Sequence, residues 1–377
     1  MLLTNGLLAC AAAGTLYLLI TIVAVRHFVR RRQPLDGDRP PVSVLKPLCG
    51  DEPELYQNLR SFCRQRYPEY QLVFGVQNPR DPAILLVERL RREFPKIEIE
   101  LVVSPERPAG GNGKVANLAG MLPAARYPVL VMADADVRVA PDYLAKLVAA
   151  LQQPEVGLVT CLYHGRPVGG FWSRLATLHI DQGFLPQALV GEAIGIGEGC
   201  FGATIALRRA TLDAVGGFPA IASRLADDHA LGEAVRGLGL RVYLAPFLVE
   251  TVMSETNLGD LLERERRWAL TIRSLAPTGF VGTFVTHPLA FAVLANILSD
   301  CRASAAAMLT CTVICRFVSA SAINVLLGVP ATPLWLLPLR DALSFWVFVT
   351  SFLTRTVAWR GQRLRVGRRG DLIHGGR

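Results

Sequence analysis

Four short stretches of this chain carry side chains whose types and spacing could do chemistry. In VMADADVRV, residues 131–139, an apolar run ends on two carboxylates two residues apart, Asp134 and Asp136, with Arg138 close behind. Like charges this close are unfavourable unless a positive group lies between them. As hard oxygen ligands they suit Mg²⁺ or Mn²⁺, ions that commonly bridge to substrate phosphates and would neutralise a leaving diphosphate. A solvated turn with an aspartate capping the next helix would look the same. The second stretch is GGNGKVANLAG, residues 110–120, a glycine-rich turn with Lys114 where a helix begins. Such a turn favours anions. It is no Walker A loop, because Val115 stands where Ser or Thr is needed and Pro108 where the first glycine belongs. Lys114 still offers a phosphate a point charge, although an ordinary loop before a helix reads alike.

The third is RLADDHALGEAV, residues 224–235. Asp227 and Asp228 at a helix start are either N-terminal capping or a site where one carboxylate serves as general base; His229 is a structural residue. The fourth is LLERERRWAL, residues 261–270, which sets Arg264, Arg267 and Trp268 on one helical face. A basic amphipathic helix lying in a membrane interface would carry the same residues.

The elements that must position these residues follow from periodicity. From Pro41 onward the chain alternates strand patterns at 42–46, 71–77, 97–103, 129–133 and 156–162 with helical patterns at 53–65, 82–94, 114–125 and 141–152. Pro53, Pro82 and Pro141 sit at or near first helical turns, where proline costs least. Alternation at this spacing predicts an α/β fold, a mostly parallel sheet with helices on both faces. Ligands in such sheets bind beyond the carboxyl ends of the strands, where Asp134 and Asp136 stand.

Composition places part of the chain in lipid. The 377 residues are 51% hydrophobic and 19% charged, with a mean hydropathy of +0.34, whereas soluble domains are about a quarter charged. Residues 7–29 form an apolar run of the roughly 20 residues a bilayer demands. Met1–Gly6 carries no basic side chain, unlike a cleaved signal peptide. The basic cluster Arg26, Arg30, Arg31 and Arg32 follows the run, which predicts an anchor with the central domain on the cytoplasmic side. Further apolar runs near 280–299, 303–328 and 332–354 predict two or three C-terminal spans, one of them possible as a re-entrant segment. Arg316, Arg340 and Asp341 lie in or beside them, where charge is costly and faces protein or headgroups. The net charge of +9 flanks these segments and suits anionic headgroups. No basic face with interleaved aromatics points to nucleic acid. Eight cysteines without a C-x-x-C pair read as a reduced, cytoplasmic pattern. The expected organisation is an anchor at 1–32, a cytoplasmic domain at 40–257, an interfacial helix at 258–278, a transmembrane region at 280–356 and a basic tail at 357–377.

Taken together, Asp-x-Asp, a distant Asp-Asp pair and R-x-x-R-W just before membrane helices resemble the membrane-bound inverting glycosyltransferases of GT-A type. VSVLKPLCGDEPELYQNL, QRYPEYQLVFGVQNPRDPAI, YPVLVMADADVRVAPDYL, GLVTCLYHG and AWRGQRLRV narrow the resemblance to the ceramide glucosyltransferase family, family 21, from about residue 40 to the C-terminus. That family includes bacterial enzymes that glycosylate hopanoids.

The resemblance implies the roles. Asp134, with Asp136, would hold the diphosphate of a UDP-sugar through a divalent metal (Mg²⁺ or Mn²⁺), and Lys114 would lie on the nucleotide side. Asp228 would deprotonate the acceptor hydroxyl, while Arg264, Arg267 and Trp268 would lie near the diphosphate and acceptor. Asn78 stands where the family has its first aspartate, bringing hydrogen bonds for a uracil or ribose but no charge; Asp81, which is kept, is the other candidate for binding the base. The expected partners are a UDP-sugar (glucose or N-acetylglucosamine), a hopanoid such as bacteriohopanetetrol or a sphingolipid such as ceramide, and the bilayer, here a bacterial inner membrane crossed several times. A processive polysaccharide synthase, which shares both motifs, and a non-catalytic nucleotide-sugar-binding membrane protein are the alternatives.

Overall fold

The computed structural model describes residues 1–33, 37–104, 111–196, 199–330, 332–354, 356–359, 362–366 and 372–374, with side chains as far as 354. They form two compact units, one of Arg32–Arg166 with Glu198–Val252, the other of Met1–Arg31, Pro167–Gly197 and Met253–Arg377.

The first unit is built on a sheet of eight strands: β1 Val42–Pro47, β2 Tyr70–Val76, β3 Glu98–Val103, β4 Val129–Ala133, β5 Val137–Arg138, β6 Val156–Pro167, β7 Thr204–Arg208 and β8 Arg241–Met253. Their order is β3-β2-β1-β4-β7-β6-β8-β5. From β3 to β4 the pairing is parallel, with Val44 opposite Leu72 on one side and Val131 on the other. Strands with period-two side chains and both faces covered read as continuous apolar runs, and β1 does so. Val44 joins a core with the helices Leu55–Phe62, Ala83–Glu93 and Tyr143–Leu151, whereas its neighbour Leu45 joins a core with Gly113–Met121 and Asp227–Gly237. The strand–helix alternation expected from the sequence is therefore present.

Beyond β4 the sheet turns mixed, which periodicity did not foresee. β7 runs antiparallel to β4 with Thr204 opposite Ala133, and β6 is antiparallel to β7. Two consequences bear on the site. The chain order reverses between β1 and β4, and open α/β sheets bind ligands in that crevice. The antiparallel register also brings the residues entering β7, Phe201 and Gly202, to the carboxyl end of β4.

The second unit is helical. Its longest members, Leu2–Val29 (28 residues) and Ala303–Leu327 (25 residues), are long and apolar enough to cross a membrane; Pro277–Thr286 and Pro288–Leu298 are bent by 63° at their junction, as a broken span or re-entrant loop would be. The last helix, Leu337–Ser351, has 15 residues, fewer than the roughly 20 that span a bilayer core. Close approach and hydroxyl pairs hold the long helices, as expected where lipid supplies no hydrophobic drive between them. Thr15 meets Thr312 at 2.9 Å and Thr21 meets Ser319 at 3.1 Å. A Cβ on Gly14 would stand 2.5 Å from the Val285 carbonyl, so the bent pair packs there only against glycine. The arginine motif lies on the helix Leu258–Leu275. The region of the basic tail forms a three-stranded antiparallel sheet, Thr356–Trp359, Gln362–Val366 and Leu372–His374.

Candidate active site

β4 is wholly buried and delivers Asp134 to its carboxyl end. Lys114 comes from the start of the helix Gly113–Met121, whose cap is Asn112: the Asn112 side-chain oxygen accepts from the N–H groups of Lys114 and Val115. Lys114 Nζ lies 2.7 Å from Asp134 Oδ1 and 3.6 Å from Asp227 Oδ2. Lys114 thus sets a positive group between Asp134 and Asp227, whereas the cation acted on by both Asp134 and Asp136 is Lys46. Burial opposes the Lys114 charge, but Asp134, Asp227 and Asp228 together outweigh burial and hold its pKa above the usual lysine value.

Asp228 is the second residue of the helix Asp227–Gly237. Its carboxylate accepts from the backbone N–H of Gly202 at 2.8 Å and of His229 at 2.8 Å. Burial, and then the charge of Asp227, push its pKa up to about 6, against the lowering effects of Lys114 and these two N–H groups. A carboxylate so poised is ionised at neutral pH yet basic enough to take a proton. His229 lies 3.6 Å from Glu233 on its own helix.

Three residues that sequence reasoning passed over complete this arrangement. Asn112 is buried, donates to the Arg224 carbonyl at 3.1 Å and to Asp227 Oδ1 at 3.2 Å, and so ties the second motif to the third. Gly202 gives Asp228 its N–H, and a Cβ there would meet Asp228 Oδ2 at 3.1 Å and Lys114 Nζ at 3.4 Å. Lys46, at the end of β1, is fully buried; it donates to the Asp134 carbonyl at 2.7 Å and lies 3.8 Å from the Phe62 ring centre. Burial lowers its pKa to about 7, despite Asp136, Asp134 and Glu52. The only sequence signal for Lys46 was a charge inside an apolar strand. Arg138 pairs elsewhere, with Glu54 at 2.6 Å.

Asn78 follows β2 and is exposed, its side-chain oxygen accepting from the Arg80 N–H at 2.9 Å. Asp81 is buried and engaged by backbone. It accepts from Gly50 N–H at 2.9 Å and from Ala83 N–H at 2.9 Å, fixing the exit of β1 and the start of the next helix. Asp136 is half-buried. Among the described residues no group of three or more His, Cys, Asp or Glu is placed to hold a metal. Gly110, the first residue of the second motif, lies outside the described residues.

The fourth motif lies in the helical unit. The Arg264 guanidinium pairs with the buried Glu255 and sits 5.0 Å from the Trp268 ring centre, the i,i+4 neighbour the spacing predicted. Trp268 also packs 6.0 Å from His179 and 6.3 Å from Phe184. Arg267 is half-buried on the same helix.

The parallel half-sheet with carboxylates at its crevice is the GT-A type fold. The chain resembles a solved structure of the mannosyltransferase PcManGT from Pyrobaculum calidifontis with GDP-Man and Mn²⁺, at a TM-score of 0.54 and 19% identity, over 93% of this chain and 99% of that one. Residues 6–372 match the family "Glycosyl transferase family 21", and the chain belongs to that family. It is 26% identical over 266 residues to Ceramide glucosyltransferase 1 of Caenorhabditis elegans, covering 70% of this chain and 57% of that protein. It is 28% identical over 200 residues to a Beta-monoglucosyldiacylglycerol synthase of Trichormus variabilis, covering 51% of this chain and 40% of that protein. The match thus spans 57% of the length of one of these relatives and 40% of the other.

Proposed function

We propose that the chain is a membrane-bound inverting glycosyltransferase that moves glucose or N-acetylglucosamine from a UDP-sugar to a hydroxyl of a membrane lipid, a ceramide or a hopanoid such as bacteriohopanetetrol. The observation that carries this is the cluster at the end of β4, where Lys114 bridges Asp134 and Asp227 while Asp228 is tuned up to about 6 beside them. The acceptor oxygen attacks the anomeric carbon opposite the diphosphate. A carbon–oxygen bond forms, the bond to the diphosphate breaks, and the hydroxyl proton passes to the Asp228 carboxylate. The family relatives named for lipid glucosylation, and two helices fit to cross a bilayer, support a lipid acceptor and a multi-pass protein of the bacterial inner membrane with this unit on the cytoplasmic side.

Asp134 and Asp136 would be the residues to hold a hard divalent cation. They supply two carboxylates and leave the other coordination positions to diphosphate and water, the way Mg²⁺ and Mn²⁺ are usually held. When bound, such an ion offsets charge building on the leaving diphosphate. Lys114 adds its charge on the same side. Asn78, exposed beyond β2, reads the uracil or ribose, because the Asp81 carboxylate is already held by backbone N–H groups.

Membranes containing the chain, incubated with labelled UDP-glucose or UDP-N-acetylglucosamine and either lipid, should form a glycolipid identifiable by mass spectrometry. No product with any of the four pairings, from protein that binds UDP, would refute the reading.

A further inference from the structure

Strand β6 carries one hydroxyl through an apolar run. Thr160, in VGLVTCL, stands opposite Ile205 of β7 and is fully buried. A buried hydroxyl must find its partners within the protein, and Thr160 finds them in the turn that enters β7. Its Oγ1 accepts the Phe201 N–H at 2.9 Å and donates to the Phe201 carbonyl at 2.9 Å, with the Thr204 carbonyl beside it at 3.0 Å. The turn's own closing bond, from the Thr204 N–H to the Phe201 carbonyl, is longer at 3.3 Å.

The Phe201 carbonyl and the Gly202 N–H are the two ends of one planar, trans peptide group. Thr160 holds its oxygen end, and Asp228 Oδ2 takes its nitrogen end at 2.8 Å. Turned over, that peptide would aim a carbonyl dipole at the carboxylate in place of a donor. Glycine accepts the backbone angles of either orientation, so the restraint comes from the two partners and not from Gly202. The other groups around Asp228 are accounted for. Lys114 faces it from the helix Gly113–Met121, Asp227 and His229 share its helix, and Cys200 precedes the turn. Burial holds the Cys200 thiol well above its usual pKa and lowers that of His229, whose ring lies 3.6 Å from Glu233.

We infer that Thr160 is a positioning residue for the transfer: by holding the Phe201 carbonyl it aims the Gly202 N–H at Asp228 and so sets the orientation of the base. The inference rests on the reading of Asp228 as the general base, and Thr160 acts only through the peptide it holds. An N–H bonded to a carboxylate favours the ionised form, so losing this one should raise the Asp228 pKa from about 6 by roughly one unit. The ionised base would then be lost as pH falls through about 7, and activity should suffer more at pH 6 than at pH 8.

The test uses the full chain in detergent. Thr160→Val keeps the shape and removes the hydroxyl, Thr160→Ala removes it without setting a methyl against the Phe201 N–H, and Thr160→Ser retains it. Hydrogen exchange read by mass spectrometry over residues 200–204 should quicken roughly tenfold in the first two and stay unchanged in the third. In glycolipid formation at saturating substrates, Thr160→Val should lower kcat roughly tenfold at pH 8 and shift the acid limb upward, with UDP binding unchanged; Thr160→Ser should restore both. On an Asp228→Asn background Thr160→Val should cost less than about twofold, because the group it acts through is gone. A packing role alone would leave the acid limb in place and cost as much on either background. Unchanged exchange in both hydroxyl-free variants, an unmoved acid limb, or an equal loss on the Asp228→Asn background would overturn the inference while leaving Asp228 as the base. Quicker exchange in Thr160→Val, with Asp228→Asn as active as the unaltered chain, would keep the clamp on Gly202 but sink the base reading and with it the catalytic role of Thr160.

Discussion

Replacing Asp228 by Asn removes the proposed base and little else. The amide keeps the volume and an oxygen for the Gly202 and His229 N–H groups, so folding and UDP binding should persist. A positioned general base is worth roughly 10²–10⁴ in rate, and kcat should fall by that factor. The unaltered protein supplies an independent measure. Because the Asp228 pKa is raised to about 6, the ionised form that takes the proton is lost as pH falls through that value. Ionisation is about nine-tenths complete at pH 7 and about one-tenth at pH 5, so kcat should drop roughly tenfold between them. Asp227→Asn removes the second-largest cause of the upward shift and should move this acid limb to lower pH. The assay is glycolipid formation at saturating donor and lipid across pH, with UDP binding followed by calorimetry. Activity in Asp228→Asn within threefold of the unaltered chain, or an acid limb at about 4 as for an ordinary aspartate, would refute the reasoning.

Lys114→Met removes a charge that lowers the Asp228 pKa, so the acid limb should rise by roughly one unit and calorimetry should show weaker UDP-sugar binding. Gly202→Ala sets a methyl group 3.1 Å from the Asp228 carboxylate; kcat should fall at least about tenfold through misplacement, with the melting temperature little changed. Glu265→Leu leaves Arg340 buried and unpaired and should destabilise the chain by about 3–5 kcal/mol, whereas Glu265→Leu with Arg340→Met should recover most of the loss, read by thermal unfolding in detergent.

Much of the fold was legible because its elements carry strong periodic signals. β4 begins and ends at the residues its apolar run predicted, and the four helices flanking β1 to β4 fall where amphipathic patterns placed them. Asp134 could be singled out as a candidate ligand because a carboxylate directly after a buried strand stands where α/β sheets bind ligands. β7 was not read, since TIALR is short and its value comes from its partner: only pairing with β4 makes the turn before it part of a site. Gly202 and Asn112 carry no motif of their own, and they count only because backbone and amide groups come within hydrogen-bonding distance of Asp228 and Asp227. The charges Arg316 and Arg340 in or beside apolar runs were visible as anomalies, but their carboxylate partners were not.

The sequence by itself determined which side chains are available and which segments are strand, helix or bilayer-length, because periodicity, proline placement and apolar length are local properties. It left each charged motif with two readings. Tertiary structure decided which of these groups meet, where it placed residues far apart in sequence within a few ångströms. Lys114 lies between Asp134 and Asp227, and Asp228 sits half-buried on two N–H groups. Proton affinity and hydrogen-bond satisfaction depend on burial and on neighbours in space, and neither is written at any single position of the chain.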